Sequence, residues 1–223
     1  MRRIITKPEA LLFDCDGVIA DSEGIIAAVL AEEITALGWP MTVEEEKRTF
    51  QGMTGAMLNE LLVSRLGPLP EGWRARVDAR ISAAMEAELQ PVPGIVEAIR
   101  LLHRTGLPMA VASNSGRNGL RFKIGRLGLD KFFGGRLFSH QDVAAPKPAP
   151  DLYLAAAAAC GVAPSKCVVV EDTAMGARAG VAAGCRVLGY VRYEAPGIAE
   201  TGAELFSDMA ELPALIGHAP ADA

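Results

Sequence analysis

The 223-residue chain is short of aromatic side chains, at 5%, and carries only four cysteines. None of its apolar runs approaches the roughly 20 residues that a membrane-spanning helix needs, so no membrane partner is expected. The cysteines, Cys15, Cys160, Cys167 and Cys185, form no CxxC pair and no zinc-finger spacing, and apolar residues flank them. That argues against a disulfide scaffold or a structural zinc module and for reduced core thiols in a cytoplasmic protein. Positive charge is also scarce: 22 Lys and Arg stand against 27 Asp and Glu, a net charge of −5. A general nucleic-acid binder draws its affinity from neutralising phosphates and needs the opposite balance. Residues 1–13 carry early positive charge, but Lys7, Pro8 and Glu9 interrupt the apolar run that a secretion signal requires. Nothing resembling a long heptad repeat is present, and a monomer is expected.

What the chain does have is aliphatic bulk. Half of its residues are hydrophobic and 22% are charged, the balance of a folded protein rather than a disordered one. Its length suits one domain with an insertion, or two compact ones. Short apolar runs at residues 10–13, 108–112, 136–138, 167–170 and 186–190 read as buried strands. Helical stretches at 94–104, 116–127, 151–160 and 173–183 alternate with them. This order predicts an α/β fold, a doubly wound parallel sheet of the Rossmann-like kind, whose ligands bind beyond the carboxyl ends of the strands.

Residues 21–90 break the alternation. They hold no convincing strand, and positions such as Ile25, Ile26, Val29, Leu30, Ile34 and Leu37 recur at helical spacing. The prediction is a small α-helical cap inserted after the first strand, with residues 1–20 and 91–223 forming the core. Pro91, Val92, Pro93 and Gly94 make a stiff return, and with the loop at 20–23 they give two connections on which the insertion would close as a lid. Trp39 and Trp73 fall inside this segment and read as its core. The three histidines, His103, His140 and His218, lack a metal-site spacing and read as solvated or core-satisfied.

The informative stretch is FDCDGVIADS, residues 13–22. In extended backbone Asp14 and Asp16 share a face while Cys15 turns to the core. Two carboxylates with the backbone amides around Gly17 suit a hard cation and a phosphate together. A DxD ending in glycine also describes an ordinary turn, so the residues alone leave both readings open.

The pattern DxDGxxxDS after an apolar strand resembles the first motif of the haloacid dehalogenase superfamily. Three further stretches resemble its later motifs, in the same order: VASNS places Ser113, KPAPD places Lys147, and VVVEDTAMG places Glu171 and Asp172. Singly, Ser113 reads equally well as a cap, Lys147 as a surface cation, and Glu171 with Asp172 as favourable charge at a helix start. Four in order at one sheet edge are not what unrelated turns give.

The resemblance implies an enzyme acting on a small-molecule phosphate ester. By family correspondence, Asp14 is the nucleophile that forms an aspartyl-phosphate, and Asp16 is the acid and base. Mg²⁺ would be held by Asp14, the backbone carbonyl of Asp16 and Asp172, with Glu171 as a ligand or an orienting partner. Ser113, Asn114 and Lys147 would bind the phosphate. The superfamily's dehalogenases manage without the second Asp, so Asp16 favours phosphate chemistry. In the cap, Glu23 and the loop at 50–55 would face the site, with Gln51, Gly52 and Thr54 touching substrate. Gln51, Thr54 and Asn59 are neutral and polar, which suits a sugar, polyol or sugar-acid phosphate. Arg48 or Arg117 could bind a carboxylate or a second phosphate, though each reads first as a solvated surface cation. Gly176 and Gly180 share a helix face where small residues let the helix lie close on the sheet.

The rival reading is a phosphosugar mutase of the β-phosphoglucomutase type. That enzyme's helix-borne histidine and cap-loop arginine are replaced here by Ile26 and Gly55, and losing the arginine removes a bidentate grip on a second phosphate. A more distant alternative is a non-enzymatic phosphoacceptor scaffold on the same sheet.

Overall fold

The computed structural model describes residues 7–192 and 197–218. Residues 1–6, the first part of the stretch weighed as a secretion signal, lie outside them. No helix among the described residues is long and apolar enough to cross a membrane.

Strand β1 (Ala10–Phe13) is followed by four helices, α1 (Glu23–Ala36), α2 (Val43–Phe50), α3 (Gly55–Leu66) and α4 (Trp73–Glu88). The chain then runs through α5 (Ile95–Arg104), β2 (Met109–Ser113), α6 (Arg117–Arg126), α7 (Asp130–Phe133), β3 (Leu137–Ser139), α8 (Asp151–Cys160), β4 (Cys167–Glu171), α9 (Ala174–Ala182), β5 (Arg186–Tyr190), β6 (Glu204–Phe206) and α10 (Leu212–Leu215). Five predicted strands are present within a residue or two. The sixth, β6, was not foreseen: it is a three-residue edge strand with only Phe206 buried, too short and too polar to announce itself.

All strand pairs are parallel, in the order β3-β2-β1-β4-β5-β6. The first strand lies between β2 and β4, at the point where the winding reverses, and this is where such sheets open a crevice at their carboxyl edge. Asp14 follows β1 directly, so the topology delivers it there.

The sheet is covered on both faces, which explains apolar runs without alternation. Leu11, Phe13, Val111, Val168 and Val170 point to one side, against α5 and α6 residues such as Ile99 and Ile124. Leu12, Ala110, Ala112, Val169 and Val187 point to the other, against Leu152, Tyr153 and Ala177. All four cysteines are free thiols. Three are buried as expected, while Cys160, at the end of α8, is half-exposed.

Helices α1 to α4 gather around a separate core of Leu30, Ile34, Phe50, Leu58, Leu62, Trp73 and Val77, with Trp39 edge-on to Phe50 at 5.9 Å. The buried Glu33 is answered by Arg76 at 3.0 Å and Arg80 at 2.8 Å. The two connections to the sheet run side by side: Asp21 N–H donates to the Gln90 carbonyl and Val92 N–H to the Ile19 carbonyl, both at 2.9 Å.

Candidate active site

The tips of β1, β2 and β4 and the turn before α8 bring Asp14, Ser113, Glu171, Asp172 and Lys147 into one buried cluster. Lys147 Nζ stands 2.6 Å from Asp14 Oδ1 and 2.5 Å from Glu171 Oε1. Tyr153, from α8, donates its hydroxyl to the same Glu171 oxygen at 2.7 Å. The other oxygen, Oε2, accepts from Asp172 N–H, Thr173 N–H and the Thr173 hydroxyl at 3.1–3.2 Å. Both oxygens of Glu171 are therefore committed to the protein.

Glycine explains how that carboxylate fits. A methyl group at Gly176 would overlap the Glu171 side chain. Gly176 therefore makes room for Glu171 and not, as its helix position suggests, for close packing of the helix on the sheet. Gly180 does serve helix packing, with its missing Cβ 2.8 Å from Val187. At Gly17 the backbone is left-handed, φ 75°, and a side chain would overlap Asp172.

Asp14, Glu171 and Asp172 place carboxylate oxygens within 4.8 Å of one another, all buried. One lysine answers three acids. Asp172 Oδ1 is enclosed with no hydrogen-bond partner among the described residues, a costly state unless something meets it. Burial lifts the Asp14 carboxyl to about 7, more than Lys147 lowers it. Burial, then Glu23 and Glu171, raise Asp172 well above the ordinary carboxylate range. Burial works against the Lys147 charge, yet Asp14 and Glu171 hold it protonated above its usual value. Three converging hard oxygen donors with one unsatisfied atom fit a divalent cation that prefers oxygen ligands.

Asp16 lies in the same cleft but is held by a residue that sequence reasoning missed. Lys123, on α6 and only 4% exposed, pairs with Asp16 Oδ1 and also donates to Ser115 Oγ at 2.7 Å. Ser22 and Ser115 donate their hydroxyls to Asp16 at 2.5 and 2.7 Å. Burial opposes the Asp16 charge, but Lys123 and these donors hold the carboxyl below its ordinary value. In the sequence, Lys123 sits in the polar run RFKIGR, and nothing there separates it from a solvated lysine.

The remaining expectations divide. Ser113 Oγ lies 3.4 Å from Asp16 Oδ2 and accepts Ser115 N–H at 3.0 Å. The Asn114 side chain is not aimed at a phosphate: its amide nitrogen donates to the carbonyls of Gly52 and Lys147 at 2.9 and 3.2 Å, and its oxygen accepts Lys147 N–H. It ties the insertion to the sheet edge. Gln51 donates to Glu23, and at 3.4 Å to Asp172. Thr54 is buried and caps α3 through Met57 N–H at 3.2 Å. These residues line a cleft of about 770 Å³ between the insertion and the strand tips. Arg48 is exposed. Arg117 is not a free cation: it binds Asp142 at 2.6 Å. His140 lines the cleft, His103 is edge-on to Phe132 at 5.2 Å, and His218 is half-buried, with Nε2 enclosed and without a partner among the described residues.

Residues 8–184 match the family model for haloacid dehalogenase-like hydrolases. The chain is 30% identical over 185 residues to the 6-phosphogluconate phosphatase of Escherichia coli K12, covering 82% of each protein. Among solved structures it resembles a HAD family hydrolase from Deinococcus radiodurans R1, crystallised with bound phosphate and sodium, at TM-score 0.78 and 32% identity over 97% of this chain and 100% of that one. It also resembles a putative β-phosphoglucomutase from Thermotoga maritima, at TM-score 0.75 and 25% identity over 94% and 99%. With the motif residues gathered at one edge of a Rossmann-like sheet, the chain belongs to the haloacid dehalogenase-like hydrolase family.

Proposed function

We propose that this hydrolase is a Mg²⁺-dependent phosphatase that releases phosphate from a small sugar, polyol or sugar-acid phosphate through an aspartyl-phosphate at Asp14. The observation that carries the reading is the Lys147 ammonium bridging Asp14 and Glu171, beside an Asp172 oxygen with no partner among the described residues. Phosphoryl transfer asks for an in-line nucleophile and compensation of charge on the transferring oxygens, and that cluster supplies both. The phosphatase relative supports the reaction class.

Asp14 attacks phosphorus, and Lys147 fixes its carboxylate and meets the phosphoryl charge. The P–O bond to the leaving group breaks as Asp16 gives that oxygen a proton. Water then attacks the phosphoryl group on Asp14, Asp16 takes the proton, and phosphate and free Asp14 result. The Lys123 contact favours the charged form of Asp16, the form required for the second half. Substrate entry has to loosen that contact for the first. Asp14, the backbone carbonyl of Asp16 and Asp172 would hold Mg²⁺, while Glu171, whose oxygens are both engaged, orients Lys147. Bound Mg²⁺ supplies positive charge to the transferring oxygens. Ser113 and the Asn114 backbone complete the phosphate pocket.

Residues 21–90 act as a cap over a core of 1–20 and 91–223, opening on the paired connections near Asp21 and Gln90 and excluding water when closed. Hydrolysis is favoured over mutase chemistry because Ile26 and Gly55 stand where the mutase uses a histidine and an arginine. The test is phosphate release from a panel of phosphorylated metabolites, with and without Mg²⁺, by the wild type and Asp14→Asn. Release that needs both Mg²⁺ and Asp14 supports the reading, and conversion of a sugar 1-phosphate to its 6-phosphate without free phosphate overturns it in favour of the mutase.

A further inference from the structure

One carboxyl on the insertion side of the cleft has neither a hydrogen bond nor an ion pair among the described residues. It belongs to Glu46, on α2, which is 4% exposed and lines the cleft. Unlike Asp172 Oδ1, its oxygens are not enclosed, so they open onto the cleft where a polar group of a ligand can reach them. Leu30, Phe50 and Leu58, which line the same wall, offer it nothing polar. Burial and the nearby Glu23 push the Glu46 carboxyl up to about 7, and Lys47 only partly offsets them.

Glu46 also ends a track of acids. From Asp14 and Asp172 at the strand tips the track passes to Glu23 at the start of α1, which Gln51 links to Asp172, and then to Glu46. The guanidinium groups of the cleft do not relieve it. Arg74, which lies against Gly55, is held by Asp78 at 2.6 Å, and Arg117 is held by Asp142 at 2.6 Å. A leaving group that reaches from the strand tips into the insertion therefore meets carboxyls with room for hydrogen bonds, a single ammonium on the insertion, at Lys47 beside Glu46, and no uncommitted guanidinium among the described residues.

We propose that Glu46 is a specificity-determining residue whose carboxyl takes hydroxyl groups of the leaving moiety. The cleft then selects an uncharged polyhydroxy phosphate, a sugar or polyol phosphate, over an ester with a carboxylate or second phosphate at its far end. The proposal rests on the phosphatase reading and narrows its substrate class. An incoming carboxylate would be desolvated beside like charge, which costs affinity for the wrong partner, whereas hydroxyls can both donate to and accept from the carboxyl.

The test compares sorbitol 6-phosphate with 6-phosphogluconate, esters that differ at the far carbon by a hydroxymethyl group against a carboxylate. The wild type is expected to favour the first in kcat/KM by about tenfold or more. Glu46→Gln, close in shape, narrows that ratio by raising turnover of the acid, and Glu46→Lys reverses it. Melting curves establish that each variant is folded, and Glu46→Gln carries the test if the lysine variant is not. Wild-type preference for the acid, or a ratio that Glu46→Gln leaves within about twofold of the wild type, overturns the proposal while leaving the phosphatase standing. No release from p-nitrophenyl phosphate or from either sugar ester, with Mg²⁺ present, removes both.

Discussion

The carboxylate of Glu171 occupies the space in which a side chain at residue 176 would stand. A strand tip and the first turn of α9 thus meet through a glycine, and Lys147 takes its position from the carboxylate between them. Gly176→Ala is expected to displace Glu171 and with it Lys147, lowering kcat about a hundredfold, the usual cost of roughly an ångström of misplacement. Gly180→Ala crowds Val187 and Val169 instead and is expected to cost about 1–3 kcal/mol of stability with a much smaller loss of kcat. Steady-state kinetics and urea unfolding on both variants check the contrast.

Lys123, which is buried, pairs with the partly buried Asp16, bringing together α6 and the loop after β1. Removing one partner strands the other charge, so Lys123→Met is expected to destabilise the fold by about 3–5 kcal/mol. Lys123→Met combined with Asp16→Asn should recover much of that loss. Urea midpoints for the two single variants and the double variant measure the coupling, and additive effects would show that the pair is not coupled.

Glu46 gives a pH signature. Its carboxyl is raised in the folded protein, so folding penalises its charged form. The penalty is absent below the unfolded value of 4.5, grows as pH rises toward about 7, and is complete above that. Glu46→Gln should therefore stabilise the protein at pH 8, by about 3 kcal/mol at most, and change nothing near pH 4. Urea unfolding across this range reads the difference, with Glu23 and Lys47 as the charged neighbours that tune it.

Three buried carboxyls share one ammonium at the strand tips, so a divalent cation bound there stabilises the folded state by mass action. Mg²⁺ at about a hundred times its dissociation constant is expected to add about 2.7 kcal/mol. Asp172→Asn should abolish most of the Mg²⁺-dependent rise in Tm. A melting temperature indifferent to Mg²⁺ and chelator would count against the cation site.

The parts of this molecule that were legible in the sequence are those whose chemistry dictates residue type. Val168, Val169 and Val170 had to be apolar because both sheet faces are covered, and Asp14 and Asp172 announce themselves by charge at the ends of such runs, while Lys147 stands in a turn and is marked only by its place in the order of motifs. What was hidden depends on partners far away in the chain. Lys123 looks solvated until α6 folds it onto Asp16, 107 residues earlier. Tyr153 reads as one apolar position of an alanine-rich helix until its hydroxyl reaches Glu171. Glu46 is lost within the charged run VEEEKR, where only the packing of α2 buries one acid of three. The edge strand β6 has one buried residue, so no pattern marks it.

The central claim, that Asp14 carries the phosphoryl group, is tested most directly by acid-quenching the enzyme during turnover with Mg²⁺ and mapping it by mass spectrometry. The expected result is a hydroxylamine-sensitive phosphoryl adduct on the peptide containing Asp14, absent in Asp14→Asn. Steady release of phosphate by the Asp14→Asn protein, or an adduct confined to another residue, would contradict it.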